Sequence, residues 1–178
     1  MKTHRLIFHP AFAPGKVSAV TVRWGDVTGG RMMLRFRIDG CQDVVVPPSR
    51  PPARADELWK TTCFELFLVG PGGSYREFNF SPSGQWAAYR FAGYRNLAED
   101  HELVASPEIT VDSGQSVLTF TVFLDAAELA GSSHASLTAV IEEAGGRLSY
   151  WAGQHPGIKP DFHNPACFVL PVPTSERA

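Results

Sequence analysis

The run RMMLRFRID, residues 31–39, alternates without a break: Met32, Leu34, Phe36 and Ile38 fall on one side of an extended chain, and Met33, Arg35, Arg37 and Asp39 on the other. A period of two with charge confined to one side predicts a half-buried β-strand. Comparable runs lie at 17–24, 58–68, 75–91 with a break at SPSG, 117–124, 135–142, 147–152 and 166–170, each bounded by Gly, Pro, Asn, Asp or Ser. The helical period shows itself once, near 125–130, where Asp125 reads as an N-cap, Glu128 as its capping-box partner and Gly131 as the terminator. Many short strands and one short helix predict an all-β fold, a sandwich or a barrel, formed by a single domain over 1–178. The proline-rich stretch 47–57 reads as a loop that enters the sheet at Trp59.

Gly70 to Ser74 is a five-residue connection of the kind that joins antiparallel neighbours. Pairing Val69 with Tyr75 then places Phe67 opposite Glu77, Glu65 opposite Asn79 and Cys63 opposite Ser81. One face carries Phe64, Leu66, Leu68, Phe78 and Phe80 and belongs to the core; the other mixes acids, an amide, aromatics and a cysteine. Two readings stay open for that second face. It is either the solvated exterior of the sheet or a platform that grips a polyhydroxylated ligand, carboxylates and amides bonding hydroxyls while aromatic rings cover the C–H side of a sugar.

The following strand, QWAAYRF, contributes either Trp86 or Tyr89 to this face, since the two differ by an odd number, and ends at Arg95. The tail YWAGQHPGIKPDFHNPACFVL brings Trp151, His155, Lys159, Asp161 and His163 into or beside a Pro/Gly loop, where binding residues concentrate. The candidate ligand-binding set is therefore Glu65, Glu77, Asn79, Trp86, Tyr89, Arg95, Trp151, His155, Lys159, Asp161 and His163.

Composition narrows the function classes. Sixteen basic against eighteen acidic side chains leave a net charge of −2, which offers no footprint for nucleic acid or an anionic membrane. The opening apolar run Leu6-Ile7-Phe8 is cut by His9 and Pro10, too short for a signal-peptide core, and no stretch reaches the ~20 apolar residues of a membrane span; a cytoplasmic protein is expected. Cys41, Cys63 and Cys167 are widely spaced and read as small buried hydrophobes rather than disulfide or zinc partners. G-x-S-x-G, P-loop and G-x-G-x-x-G motifs are absent from the sequence.

The succession LWKTTCFELFL, YREFNFSPSGQWAAYRF and YWAGQHPGIKPDFHNPACFVL resembles the DOMON-like β-sandwich domains, which are similar to the family 9 carbohydrate-binding modules; the likeness covers about residues 55–171 and is most specific in FNFSPSGQW. The resemblance implies a two-sheet antiparallel β-sandwich of jelly-roll type that binds sugar or haem without chemistry of its own. It places Glu65, Glu77 and Asn79 at the pocket, offers Trp59, Trp86 and Trp151 as a ring-sandwiching pair, and for haem would draw on Met32 or Met33 with His155 or His163. A carbohydrate or sugar-like small molecule is thus the expected partner, with no cofactor. The alternatives are a glycan-processing enzyme with Glu65 and Glu77 as acid and base, about 7–8 Å apart at the backbone, a haem-binding domain, and a module whose aromatic face meets another protein.

Overall fold

The computed structural model describes residues 2–173. It is built from β-strands joined by turns and single-turn 3-10 helices. In chain order the strands are β1 Lys2–Phe8, β2 Ala19–Thr28, β3 Arg31–Asp39, β4 Cys63–Val69, β5 Tyr75–Phe80, β6 Trp86–Gly93, β7 Asn96–Asp100, β8 Glu108–Ser113, β9 Val117–Asp125, β10 His134–Glu143, β11 Arg147–Ala152 and β12 Leu170–Pro171. All named strands pair antiparallel, in the order β7-β6-β5-β4-β10-β11-β1-β2-β3-β9-β8, with β12 laid against β10.

The expectation of two separate sheets gives way to one continuous path that does not close. The joint is β1: Lys2 to Leu6 pair with β2, then Ile7 and Phe8 pair with β11. The apolar faces at the two ends of the path meet all the same. The Phe64 ring of β4 lies 4.2 Å from Phe120 of β9 and 4.8 Å from Phe36 of β3, and Val22, Leu34, Leu66, Phe78 and Leu137 share the same buried cluster. Each such side chain contributes roughly 1.5–3 kcal/mol by leaving water. The stripe Met32, Leu34, Phe36 and Ile38 is fully enclosed, as the alternation requires.

Gly40 ends β3 with φ +80°, and a Cβ there would stand 2.1 Å from the Lys16 carbonyl oxygen, so the loop 15–18 closes onto β3 only over a glycine. The helix expected near 125–130 shrinks to one 3-10 turn, Ala126–Leu129. Asp125 caps it by accepting from the Ala127 N–H, but Glu128 does not turn back to complete a capping box. Its carboxylate is buried instead, accepting from the Val104 N–H and meeting His101 Nε2 at 2.7 Å; Arg90 donates to His101 Nδ1, which puts the ring proton on Nε2. This network ties the chain after β7 to the turn after β9. Residues 58–60 likewise form a 3-10 turn, so the chain enters the sheet at Cys63 rather than Trp59, and the run 166–170 opens in the 3-10 turn Pro165–Cys167 and reaches β12 only at Leu170. The three cysteines are buried and free. Among the described residues no helix is long and apolar enough to cross a membrane.

Candidate functional site

The β4–β5 hairpin has the register its five-residue loop dictates: Val69 faces Tyr75, Phe67 faces Glu77 and Glu65 faces Asn79. On the far side of β4, Thr138 of β10 lies opposite Glu65; on the far side of β5, Tyr89 of β6 lies opposite Glu77. Strand alternation therefore gathers Glu65, Phe67, Glu77 and Tyr89 on the face turned away from the core. They floor a cavity of about 640 Å³. Phe91, Arg95 and Leu97 rise on the β6–β7 side, Val140 and Tyr150 on the β10–β11 side, and Lys159, Pro160, Phe162 and His163 come from the tail loop. Phe12 and Trp59 complete the rim, Trp59 with nearly half its surface exposed.

The two carboxyls at the floor are almost entirely buried. Thr138 donates to Glu65 Oε2 at 2.8 Å, and Asn79 Nδ2 donates to Glu77 Oε1 at 3.0 Å. Burial and then the neighbouring Glu77 charge push Glu65 up to about 8, against the pull of the Thr138 bond. Burial also pushes Glu77 up to about 7, with Asn79 and the Arg95 charge pulling the other way. The pair titrates as a unit and retains a proton around neutral pH. Cys63, beside them, is pushed well above the usual thiol range by burial and both acids, so its thiolate is suppressed.

His163 belongs to the same arrangement. Tyr75 Oη accepts from the Arg95 backbone N–H at 3.1 Å and shares a hydrogen bond of 2.8 Å with His163 Nδ1. Nε2 lies 3.6 Å from Glu77 Oε2. This is a contact to a neutral ring rather than an ion pair, because burial, and then Arg95, push His163 down to about 4. Arg95 is itself occupied: its guanidinium donates to Asp161 Oδ1 at 2.7 Å while Tyr94 donates to Oδ2. Burial alone would raise Asp161, and these bonds hold it below the usual range.

The structure thus brings Glu65, Glu77, Tyr89, Arg95, Lys159 and His163 to one cavity. Asn79 stands beneath the floor as Glu77's partner, and Asp161 stands behind Arg95. Trp86 does not reach the site. An odd number of residues from Tyr89, it points into the core, where its indole N–H has no partner among the described residues. Trp151 is likewise in the core, donating to Ser149, while the other parity of β11 sends Tyr150 to the cavity. A pair of tryptophans sandwiching a ring is therefore replaced by Trp59 with tyrosines and phenylalanines. His155 bonds the Ile7 carbonyl and packs on His9, a tether for the tail loop rather than part of the lining.

Met32 is enclosed in the core and His155 Nε2 is taken up by the Ile7 carbonyl, so these two do not fit axial ligation of haem. Sequence reading missed Phe12 altogether. It reaches the rim because Glu143, at the end of β10, accepts from the N–H groups of Gly15, Lys16 and Val17, and no local pattern announces so distant a clasp.

No protein-family model matches the chain, and no curated protein matches it. Among solved structures, a putative carbohydrate-binding protein from Bacteroides uniformis is similar, with a TM-score of 0.64 and 15% identity over 94% of this chain and 84% of that one. At that identity the likeness is one of fold, an all-β architecture shared along almost the whole length of the chain.

Proposed function

We propose that this protein is a non-catalytic binding module for a carbohydrate or sugar-like small molecule, held in the cavity over β4, β5 and β6. The observation that carries the reading is the pairing of a floor of hydrogen-bonding groups, Glu65, Glu77 and His163, with walls of aromatic rings in a space of about 640 Å³. Hydroxyls need the first and the apolar face of a pyranose ring needs the second. The fold shared with a putative carbohydrate-binding protein supports it by analogy. The contact of Phe64 with Phe36 and Phe120 supports the finer view of a DOMON-like sandwich, with β1 as the strand bridging its two layers.

The test is a thermal-shift and calorimetric screen of mono- and oligosaccharides. A saccharide that raises the melting temperature and is recovered unchanged supports the proposal, by the linkage of binding to stability. Turnover of that saccharide, abolished by Glu65→Gln, would overturn the non-catalytic part of it. Trp59→Ala is expected to weaken saccharide binding about tenfold, about 1.4 kcal/mol, through loss of a stacking platform. Because Trp59 is 48% exposed, its unfolding free energy should move by no more than about 0.5 kcal/mol. A Trp59→Ala variant with wild-type affinity would remove this ring from the site.

A further inference from the structure

The floor of the cavity has more hydrogen-bond acceptors than donors. Thr138 and the Asn79 amide each satisfy one carboxyl oxygen of Glu65 and Glu77, and the remaining oxygens, Glu65 Oε1 and Glu77 Oε2, take no hydrogen bond from the described residues. Asn79 Oδ1, fully buried and directly across the ladder from Glu65, has no partner there either. The proton that the pair retains occupies one of these acceptors and the Asn79 oxygen lies beneath the floor, so once that proton leaves, Glu65 Oε1 and Glu77 Oε2 are the acceptors open to a donor in the cavity. The neighbouring side-chain cations do not supply them. Arg95 is paired with Asp161, and Lys159, at the mouth, makes no ion pair with either glutamate. His163 offers a single N–H from a neutral ring.

Around this acidic floor stand aromatic rings, Phe67 and Tyr89 beside the carboxyls and Tyr150, Phe162 and Trp59 above them. Ring faces attract a cation, and the attraction strengthens where water is excluded. Charge and shape agree on one kind of group: compact, cationic, and with several N–H donors. We infer that the cleft selects a saccharide bearing a free amine, with its ammonium seated at Glu65 and Glu77 and the ring plane covered by the aromatic wall. The inference rests on the saccharide reading and sharpens it.

The titratable or charged groups that face the pair are Cys63 on β4, Tyr75 on β5, Tyr89 on β6, Arg95 after it, Tyr150 on β11, and Lys159, Asp161 and His163 on the tail loop. Burial raises Cys63, Tyr75 and Tyr89 and lowers His163, which leaves Glu65 and Glu77 as the groups of this set that an incoming ammonium would deprotonate. Amine binding should therefore release up to about one proton from the pair, whereas a neutral sugar should release none.

The experiment is calorimetry on the full chain at about pH 6.5, in buffers of different ionisation heat, with a glucosamine trimer, its N-acetylated counterpart, a glucose trimer and cyclohexylamine. The expected result is that the amine trimer binds at least about tenfold more tightly than either neutral trimer, with net proton release from protein and ligand together differing between them. Glu77→Gln should erase that preference, and Glu65→Gln should reduce it, both variants keeping a wild-type fold by circular dichroism. A neutral trimer that binds as tightly as the amine, or an amine preference that survives Glu77→Gln, would overturn the inference and leave the saccharide reading standing. Binding of cyclohexylamine without any trimer would keep the ammonium site and sink the saccharide reading. Binding of none of them would sink both.

Discussion

Glu65→Gln is expected to make the ligand-free protein more stable at about pH 8, by roughly 2 kcal/mol, while changing little near pH 4.5. The ordinary value of this carboxyl is 4.5, and in the folded protein burial and the neighbouring Glu77 charge raise it to about 8. Below the ordinary value both folded and unfolded chains carry the proton, and no stability is lost. As pH rises from 4.5 towards 8, the unfolded chain sheds the proton while the folded chain keeps it, so the unfolded state gains and stability falls. Glu77, raised to about 7, acts in the same sense. His163 acts in the opposite sense, since its folded value of about 4 lies below the ordinary 6.5 and stability is lost as pH falls between them.

The clean window is therefore about pH 6.5 to 8, where the carboxyl pair dominates the slope. Urea titrations across it should show the wild-type protein losing stability as pH rises, with Glu65→Gln flattening the loss. Glutamine keeps the shape, still accepts from Thr138, and adds an N–H opposite the orphaned Asn79 oxygen. A wild-type curve flat from pH 6.5 to 8, with Glu65→Gln destabilising throughout, would mean that the floor is solvated and its acids are ionised. A mutation that stabilises the fold at the proposed binding site is the expected trade between stability and function, in which buried polar groups are held ready for a ligand.

What the sequence disclosed of this site follows from parity. Once a five-residue loop joins two strands, a single pairing fixes every side chain on both, and Glu65, Phe67, Glu77 and Asn79 could be assigned to one face without coordinates. The next turn carried no such constraint, and the choice between Trp86 and Tyr89 stayed open until the Glu77–Tyr89 pairing decided it. Trp151 and its neighbour Tyr150 lie on opposite sides of β11, and the core took the indole. Edge strands were also hard to read. β7 is exposed along its whole length and shows no apolar alternation, and its place is set by pairing with β6 and by the Asp100–Arg54 ion pair. The alternation in β8, with Ile109 and Val111 turned inward, was a readable signal that strand-spotting passed over. The tail loop was located by its polar residues, but their separation into lining, brace and tether came from Tyr75, Arg95 and Ile7, which lie far away in sequence.

Glu143→Gln is expected to destabilise the protein by about 3 kcal/mol, a fall in melting temperature of roughly 6–12 °C for a chain of this size. The Glu143 carboxylate, 2% exposed, accepts from Gly15 N and Lys16 N at 2.6 Å and from Val17 N at 3.2 Å. Hydrogen bonds to a charged acceptor are worth about 1.5–3 kcal/mol each, and an amide in its place turns an N–H against backbone donors that have no other acceptor. The damage should travel to the cavity, because the clasped segment follows the loop that carries Phe12 to the rim, where its ring packs edge-on against Tyr150 at 5.0 Å. Saccharide affinity, measured well below the melting point, should therefore fall along with stability for Glu143→Gln. For Trp59→Ala it should fall alone. If Glu143→Gln melts like wild type, the carboxylate is dispensable and the segment 9–17 is held by its other contacts, the His9 bonds to Ala11 and Gly157 among them.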